Sequence, residues 1–153
     1  MLEQAEFVLG KNQLVELMDA VIAKGKPFRF QARGRSMSPF IKDGDVLILS
    51  PIPDSGLRRG DIVAALAPRE LIVHRIVAKK AGIYLLKGDN NVQPDAMVEQ
   101  SDVLAVVMCI ERHGEQIRIG MGLERSLIAM LSRTNLLIYI LHFLHRIQTS
   151  FLP

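Results

Sequence analysis

The chain has no tryptophan, one cysteine, and only two tyrosines and six phenylalanines in 153 residues. A lone thiol, Cys109, excludes an intramolecular disulfide framework and any multi-cysteine metal site, and it reads as a small buried hydrophobe. Long apolar runs are missing too. The longest uncharged apolar stretch, Thr134 to His145, is closed by Arg133 and Arg146, well short of the roughly 20 residues a spanning helix needs. Met1 to Gly10 carries Glu3 and Glu6 and no basic stretch followed by an apolar core, so it does not read as a secretory signal, and Met1 is the expected mature start. A net charge of +3 comes with no basic run and no aromatic-basic interleaving, so no nucleic-acid partner is expected. There is no phosphate-cradling glycine loop or dinucleotide fingerprint, and no cofactor is implied. Of the four histidines, only His142 and His145 share a helical face, and without a third nearby ligand no metal site is assigned.

What is present suffices for one core: 49% of residues are apolar against 23% charged, within the size range of a single domain. Three zones follow. In residues 1–27, Leu14, Leu17, Met18, Val21 and Ile22 recur at spacings of three and four, the stripe of an amphipathic helix over Gln13 to Lys24, with Asn12 as N-cap and Gly25 and Pro27 as its stop. In residues 28–119 the pattern changes to short runs rich in valine and isoleucine, bounded by Gly, Pro and Asp. They are Phe28 to Ala32, Val46 to Leu49, Ile62 to Leu66, Leu71 to Val77, Ile83 to Lys87, Val103 to Ile110 and Gln116 to Ile119. Such runs predict a mainly β domain, a small coiled antiparallel barrel or sandwich. Residues 120–153 are helical in pattern, one or two helices, with Leu123, Leu127, Met130 and Leu131 on one stripe and an apolar segment around Leu136 to Leu144. That zone either packs on the sheet or a partner chain, or lies on a membrane surface with Arg125, Arg133 and Arg146 as basic flanks.

Chemistry concentrates in the middle zone. In Gly34-Arg35-Ser36-Met37-Ser38-Pro39, a serine sits between a strand and a proline-fixed turn, where its hydroxyl can be held and backbone N–H groups can form an anion pocket. In Leu71-Ile72-Val73-His74-Arg75-Ile76-Val77, an imidazole interrupts an apolar strand. Alternation sets Ile72, His74 and Ile76 on one face and Leu71, Val73, Arg75 and Val77 on the other. A histidine there is a satisfied core residue or, beside a serine, a general base. In Lys87-Gly88-Asp89-Asn90-Asn91 followed by Asp95, a strand-end turn carries two carboxylates, one of which can orient the imidazole from its far nitrogen.

Four boxes in this order resemble signal peptidase I, and more closely its archaeal and endoplasmic-reticulum branch. They are Ser36-Met37-Ser38-Pro39 with Gly44-Asp45, Gly60-Asp61-Ile62-Val63, Ile72-Val73-His74-Arg75-Ile76, and Lys87-Gly88-Asp89-Asn90-Asn91 with Asp95. The resemblance covers Gly34 to Val107. It implies a serine endopeptidase with Ser36 as nucleophile and its backbone N–H as oxyanion donor, His74 as general base and Asp95 as orienting acid. Asp89 would support the loop or the histidine, with Asn90 and Arg75 in supporting positions. The expected partner is a polypeptide, a leader or precursor bound in extended form. Gly34, two residues before Ser36, stands where many members carry a serine. The Gly-X-Ser-Met form is similar to the mitochondrial inner-membrane peptidases and the self-cleaving SOS-repressor peptidases, which use lysine as base and would nominate Lys79 or Lys87. A catalytically silent module of the same fold, binding a peptide or a membrane partner, is the alternative reading. Signal peptidases carry an N-terminal apolar anchor where this chain has an amphipathic helix, so the expected location is the cytoplasm, with peripheral contact at the inner membrane face through the C-terminal helix.

Overall fold

The structure, a computed structural model, describes residues 10–68 and 70–150. The stretch from Met1 to Leu9, part of the segment considered above as a signal, lies outside the described residues. Helix α1 (Lys11–Ala23) forms on the expected stripe, with Met18 and Ile22 buried and Leu14 and Val21 half-buried. Its N-cap is Gly10 rather than Asn12, because Gln13 reaches back and accepts the Gly10 N–H at 3.0 Å. That is one half of a capping box: it satisfies the Gly10 N–H, with no side chain at the cap position to accept from the first turn.

Eight strands follow: β1 (Phe28–Gln31), β2 (Val46–Ser50), β3 (Ile62–Ala67), β4 (Glu70–Lys80), β5 (Ile83–Lys87), β6 (Ala96–Glu99), β7 (Val103–Arg112) and β8 (Glu115–Ile117). Among the described residues they form one antiparallel sheet in the order β1-β2-β7-β3-β4-β5-β6, with β8 paired to β7. The fold is therefore mainly β, as the alternating runs indicate. The sheet coils until β6 comes back against β3, making an open half-barrel. One cluster, with Val63, Ala65, Ile72, Ile76, Tyr84, Leu86 and Val98, fills the inside of that curl. The other, with Ile62, Ala64, Leu47, Leu49 and Ile110, is covered by Met18 and Ile22 of α1. Alternation along β3 and β4 thus assigns neighbouring residues to different cores. Strand β6 gave no apolar run to read, since of its four residues only Val98 is buried and Met97 is 74% exposed. Cys109 is half-buried, not enclosed, in β7 opposite Ile48.

One turn device serves twice. In Lys42-Asp43-Gly44-Asp45 and in Arg58-Arg59-Gly60-Asp61, the glycine takes a positive φ of 87° or 98°, which a Cβ disfavours. The following aspartate accepts the backbone N–H three residues back, from Lys42 at 2.8 Å and from Arg58 at 2.7 Å. Each carboxylate also pairs with an arginine from later in the chain, Asp45 with Arg112 at 2.8 Å and Asp61 with Arg125 at 3.0 Å. These turns launch β2 and β3.

Two helices close the chain, α2 (Arg125–Arg133) and α3 (Leu136–Ser150), bent by 100° at a break where Asn135 adopts φ 60°. The stripe read from the sequence is not the face that packs. Helix α2 lies on β4 through Ile128, Ala129 and Ser132, the last two small enough to allow close approach. Leu123 precedes the helix and is fully exposed, while Leu127 and Met130 are about half exposed. Among the described residues no single helix is long and apolar enough to cross a membrane; α2 and α3 pass that test only as a bent pair.

Truncating Leu49, which has no exposed surface, should cost about 2–5 kcal/mol in a Leu49→Ala variant. Leu127→Ala, on the outward side of α2, should stay within about 0.5 kcal/mol of the parent. Urea unfolding of both variants measures the contrast.

Candidate active site

Ser36 sits in the turn that leaves β1. Gly34 turns the chain with φ 88° and donates its N–H to Asp43 Oδ1 at 2.7 Å, Ser38 N–H bonds Arg35 O at 3.1 Å, and the Ser38–Pro39 peptide is cis. Asn90 N–H donates to Ser36 O at 2.8 Å, and Asn90 Nδ2 to Arg35 O at 3.3 Å. Gly88 lies so close that a Cβ there would fall 2.6 Å from Ser36 O and 2.8 Å from Asn91 Nδ2. The Gly88-Asp89-Asn90-Asn91 turn is therefore a clamp on the serine turn, and only glycine fits its first position.

Ser36, His74 and Asp95 converge. Ser36 Oγ is 2.9 Å from His74 Nε2, and His74 Nδ1 is 3.0 Å from Asp95 Oδ2. The second contact lies off the linear hydrogen-bond direction. Asp95 is not a buried acid; its side chain keeps 25% of its exposure and is aimed by the loop, accepting Gly88 N–H on Oδ2 and Asn91 Nδ2 on Oδ1, both at 2.6 Å. A carboxylate beside Nδ1 favours the tautomer protonated there, so Nε2 offers its lone pair to the serine hydroxyl. Burial of the ring pushes the His74 pKa below the ordinary 6.5, against the opposing pull of Asp95, Asp89 and Glu70. The imidazole is thus neutral at pH 7 and able to accept a proton.

Arg75 and Asp89 do a different job. Both are fully buried, Arg75 Nε donating to Asp89 Oδ1 at 2.8 Å and Nη2 to Oδ2 at 2.7 Å. Arg75 Nη1 donates to the carbonyls of Gly60 and Gly120, each at 2.9 Å, and the guanidinium stacks 5.5 Å from the Phe40 ring centre. Asp89 thus ties its turn to the strand residue next to His74. The lysines are engaged away from the serine. Lys79 Nζ donates to Leu57 O at 2.9 Å, and the buried Lys87 donates to Ser132 O and Asn135 Oδ1 at the α2–α3 junction. Burial pushes the Lys87 pKa down. Asp43 and Asn91 hold Gly34 and Asp95 without having been singled out; Asn91 stands within the recognised box, but the carbonyls of Gly60 and Gly120 leave no side-chain signal. Among the described residues, no three histidine, cysteine or acidic side chains gather as a metal-ligand set.

Arg75→Ala would leave Asp89 charged and buried without its partner and should cost about 3–5 kcal/mol. Asn90→Ala removes only the exposed amide bond, keeps the backbone N–H on Ser36 O, and should cost under about 1 kcal/mol. Chemical denaturation of the two variants tests whether the clamp is held by buried charge and backbone rather than by the asparagine side chain.

Comparison with curated proteins yields no match. The family model described as Peptidase S24-like matches residues 3–108, well over half the chain. That span contains the serine turn, the histidine strand and the loop that carries Asp95, so the Ser36–His74–Asp95 geometry lies within the matched region. The chain belongs to the Peptidase S24-like family.

Proposed function

We propose that the chain is a serine endopeptidase of signal peptidase type that cuts a leader or precursor polypeptide held in extended form. The observation that carries this reading is the hydroxyl–imidazole–carboxylate chain, with links of 2.9 and 3.0 Å, in a peptidase-family domain. Ser36 Oγ attacks the scissile carbonyl carbon while its proton passes to His74 Nε2. Asp95 stays ionised and stabilises the imidazolium. The oxyanion accepts the Ser36 N–H, a donor of a kind whose loss typically costs about 3–4 kcal/mol of barrier. His74 then returns the proton to the leaving amine, and water repeats the sequence on the acyl-enzyme to release the acid and restore the serine. The lysine alternative is disfavoured because the ammonium groups of Lys79 and Lys87 are held by carbonyl oxygens elsewhere.

A cleft of about 150 Å³ adjoins the serine, lined by Phe30, Ala32, Met37, Ile41, Leu47, Leu71 and Val73 together with Arg33 and Gly34. Strand β1 is an outermost strand of the sheet. Among the described residues, Glu70 to His74 of β4 pair with β3 alone, since β5 joins only from Arg75. Among the described residues, two edges with no strand partner therefore flank the cleft. A substrate strand between them gains main-chain hydrogen bonds and inserts a small or medium apolar side chain next to Ser36.

Turnover of a panel of extended peptides is the test. Ser36→Ala and His74→Ala should lose activity by about 10⁴-fold or more, whereas Lys79→Ala should retain it. Equal turnover by the parent and Ser36→Ala removes the enzyme reading; peptide binding without turnover in either identifies the silent module.

The acid limb of kcat/KM should fall below pH 6.5, because burial lowers the pKa of the base. Asp95→Asn removes a charge that raises that pKa, so the limb should move lower still while kcat drops. The same shift links to folding. Between the folded value and about 6.5 only the unfolded chain binds the proton, so His74's contribution is full above about pH 6.5 and declines as pH falls through that window. Rate profiles and urea unfolding across pH 5–8 measure both effects.

A further inference from the structure

Helix α3 leans on the domain by one side only. Leu137 and Ile138 are buried and Leu141 is half-buried, whereas Leu136, Ile140, Phe143, Leu144 and Ile147 are exposed, from 38% at Ile140 to 64% at Phe143. At 100° per residue these five fall in one arc of about 100°, adjoining the packed side at Leu144 and running outward from it. Helix α2 repeats the arrangement, with Ile128, Ala129 and Ser132 inward and Leu127 and Met130 outward. Two consecutive helices each presenting an apolar back to the outside is more than scattered surface hydrophobicity.

The charge beside them identifies the cover. Arg59, Lys79, Lys80 and Arg133 line one surface depression, and Lys79, Lys80 and Arg133 line a second with Ile83 and Met97; no acid lines either. From residue 120 onward the only acid is Glu124, and its carboxylate is taken up by the N–H groups of Gly120 and Gly122. We propose that the outward faces of α2 and α3, with the adjoining Arg59, Lys80 and Arg133, dock on the surface of a bilayer containing anionic lipid. The apolar arc enters the acyl boundary and the basic patch meets the headgroups. A second copy fits less well. The ridge from Leu136 to Ile147 is about 18 Å long at about 1.5 Å per residue, short for the ~800 Å² per partner of a stable interface, and two-fold pairing would bring like charges together. The inference does not rest on peptidase activity.

Sedimentation of the full chain with vesicles tests it. The parent and Ser36→Ala should both pellet with vesicles of phosphatidylglycerol and phosphatidylcholine, only weakly with phosphatidylcholine alone, and less as salt rises. Ile140→Ser with Phe143→Ser should weaken binding at least about tenfold, and Lys80→Gln and Arg133→Gln about fivefold each. Because the sequence has no tryptophan, Phe143→Trp gives a single emission reporter that should shift to the blue on the anionic vesicles only. Absent or lipid-independent pelleting, an unshifted reporter, or unchanged binding by the serine double variant overturns the proposal. So does a dimer in vesicle-free buffer that the serine double variant converts to monomer, which would identify a second copy as the cover.

Discussion

Taking a guanidinium and a carboxylate wholly out of water costs several kcal/mol for each ion, a penalty offset only when every polar atom finds a partner. Arg75 and Asp89 meet that condition by drawing in four separate parts of the chain: strand β4, the Gly88–Asn91 turn, the Gly60 turn before β3 and Gly120 before the C-terminal helices. Because Arg75 follows His74 directly and Asp89 precedes Asn90, fixing this pair fixes the strand that carries the imidazole and the turn that bonds Ser36 O. The catalytic geometry proposed for the site is a by-product of satisfying a buried charge.

Much of the site was legible because its parts are side chains with distinctive chemistry. A serine after a glycine turn, a histidine inside an apolar strand, and two aspartates around a Gly-Asp-Asn-Asn turn remain recognisable whatever lies between them, and the structure brings Ser36, His74 and Asp95 together. The strands were legible because alternation leaves a period-two trace; β6 left none, since one buried valine is not a period. The cap at Gly10 escaped because the work is done by Gln13 three residues on. The inward face of α2 escaped for a related reason: Ala129 and Ser132 pack closely because they are small, which a search for large apolar residues passes over.

Lys87 shows how position in a motif can mislead about role. It stands at the head of the box, next to a turn that touches the serine, and its ammonium nevertheless points the other way, into the carbonyl of Ser132 and the side chain of Asn135. A cation at the C-terminal end of α2 is favourably set against the helix dipole. The strand end that begins the clamp is thus tied to the corner between the last two helices, and the turn holding Ser36 is supported from both the sheet and the helical cap.

Under the proposed peptidase reading, a trench between two strand edges discriminates by conformation before it discriminates by sequence. A segment already wound into a helix, or already zipped to neighbours of its own, has no spare amides to offer and is passed over whatever residues it bears. Maturation of a client would then be timed by when its scissile stretch is left slack, and a precursor could shelter its cut site simply by folding first.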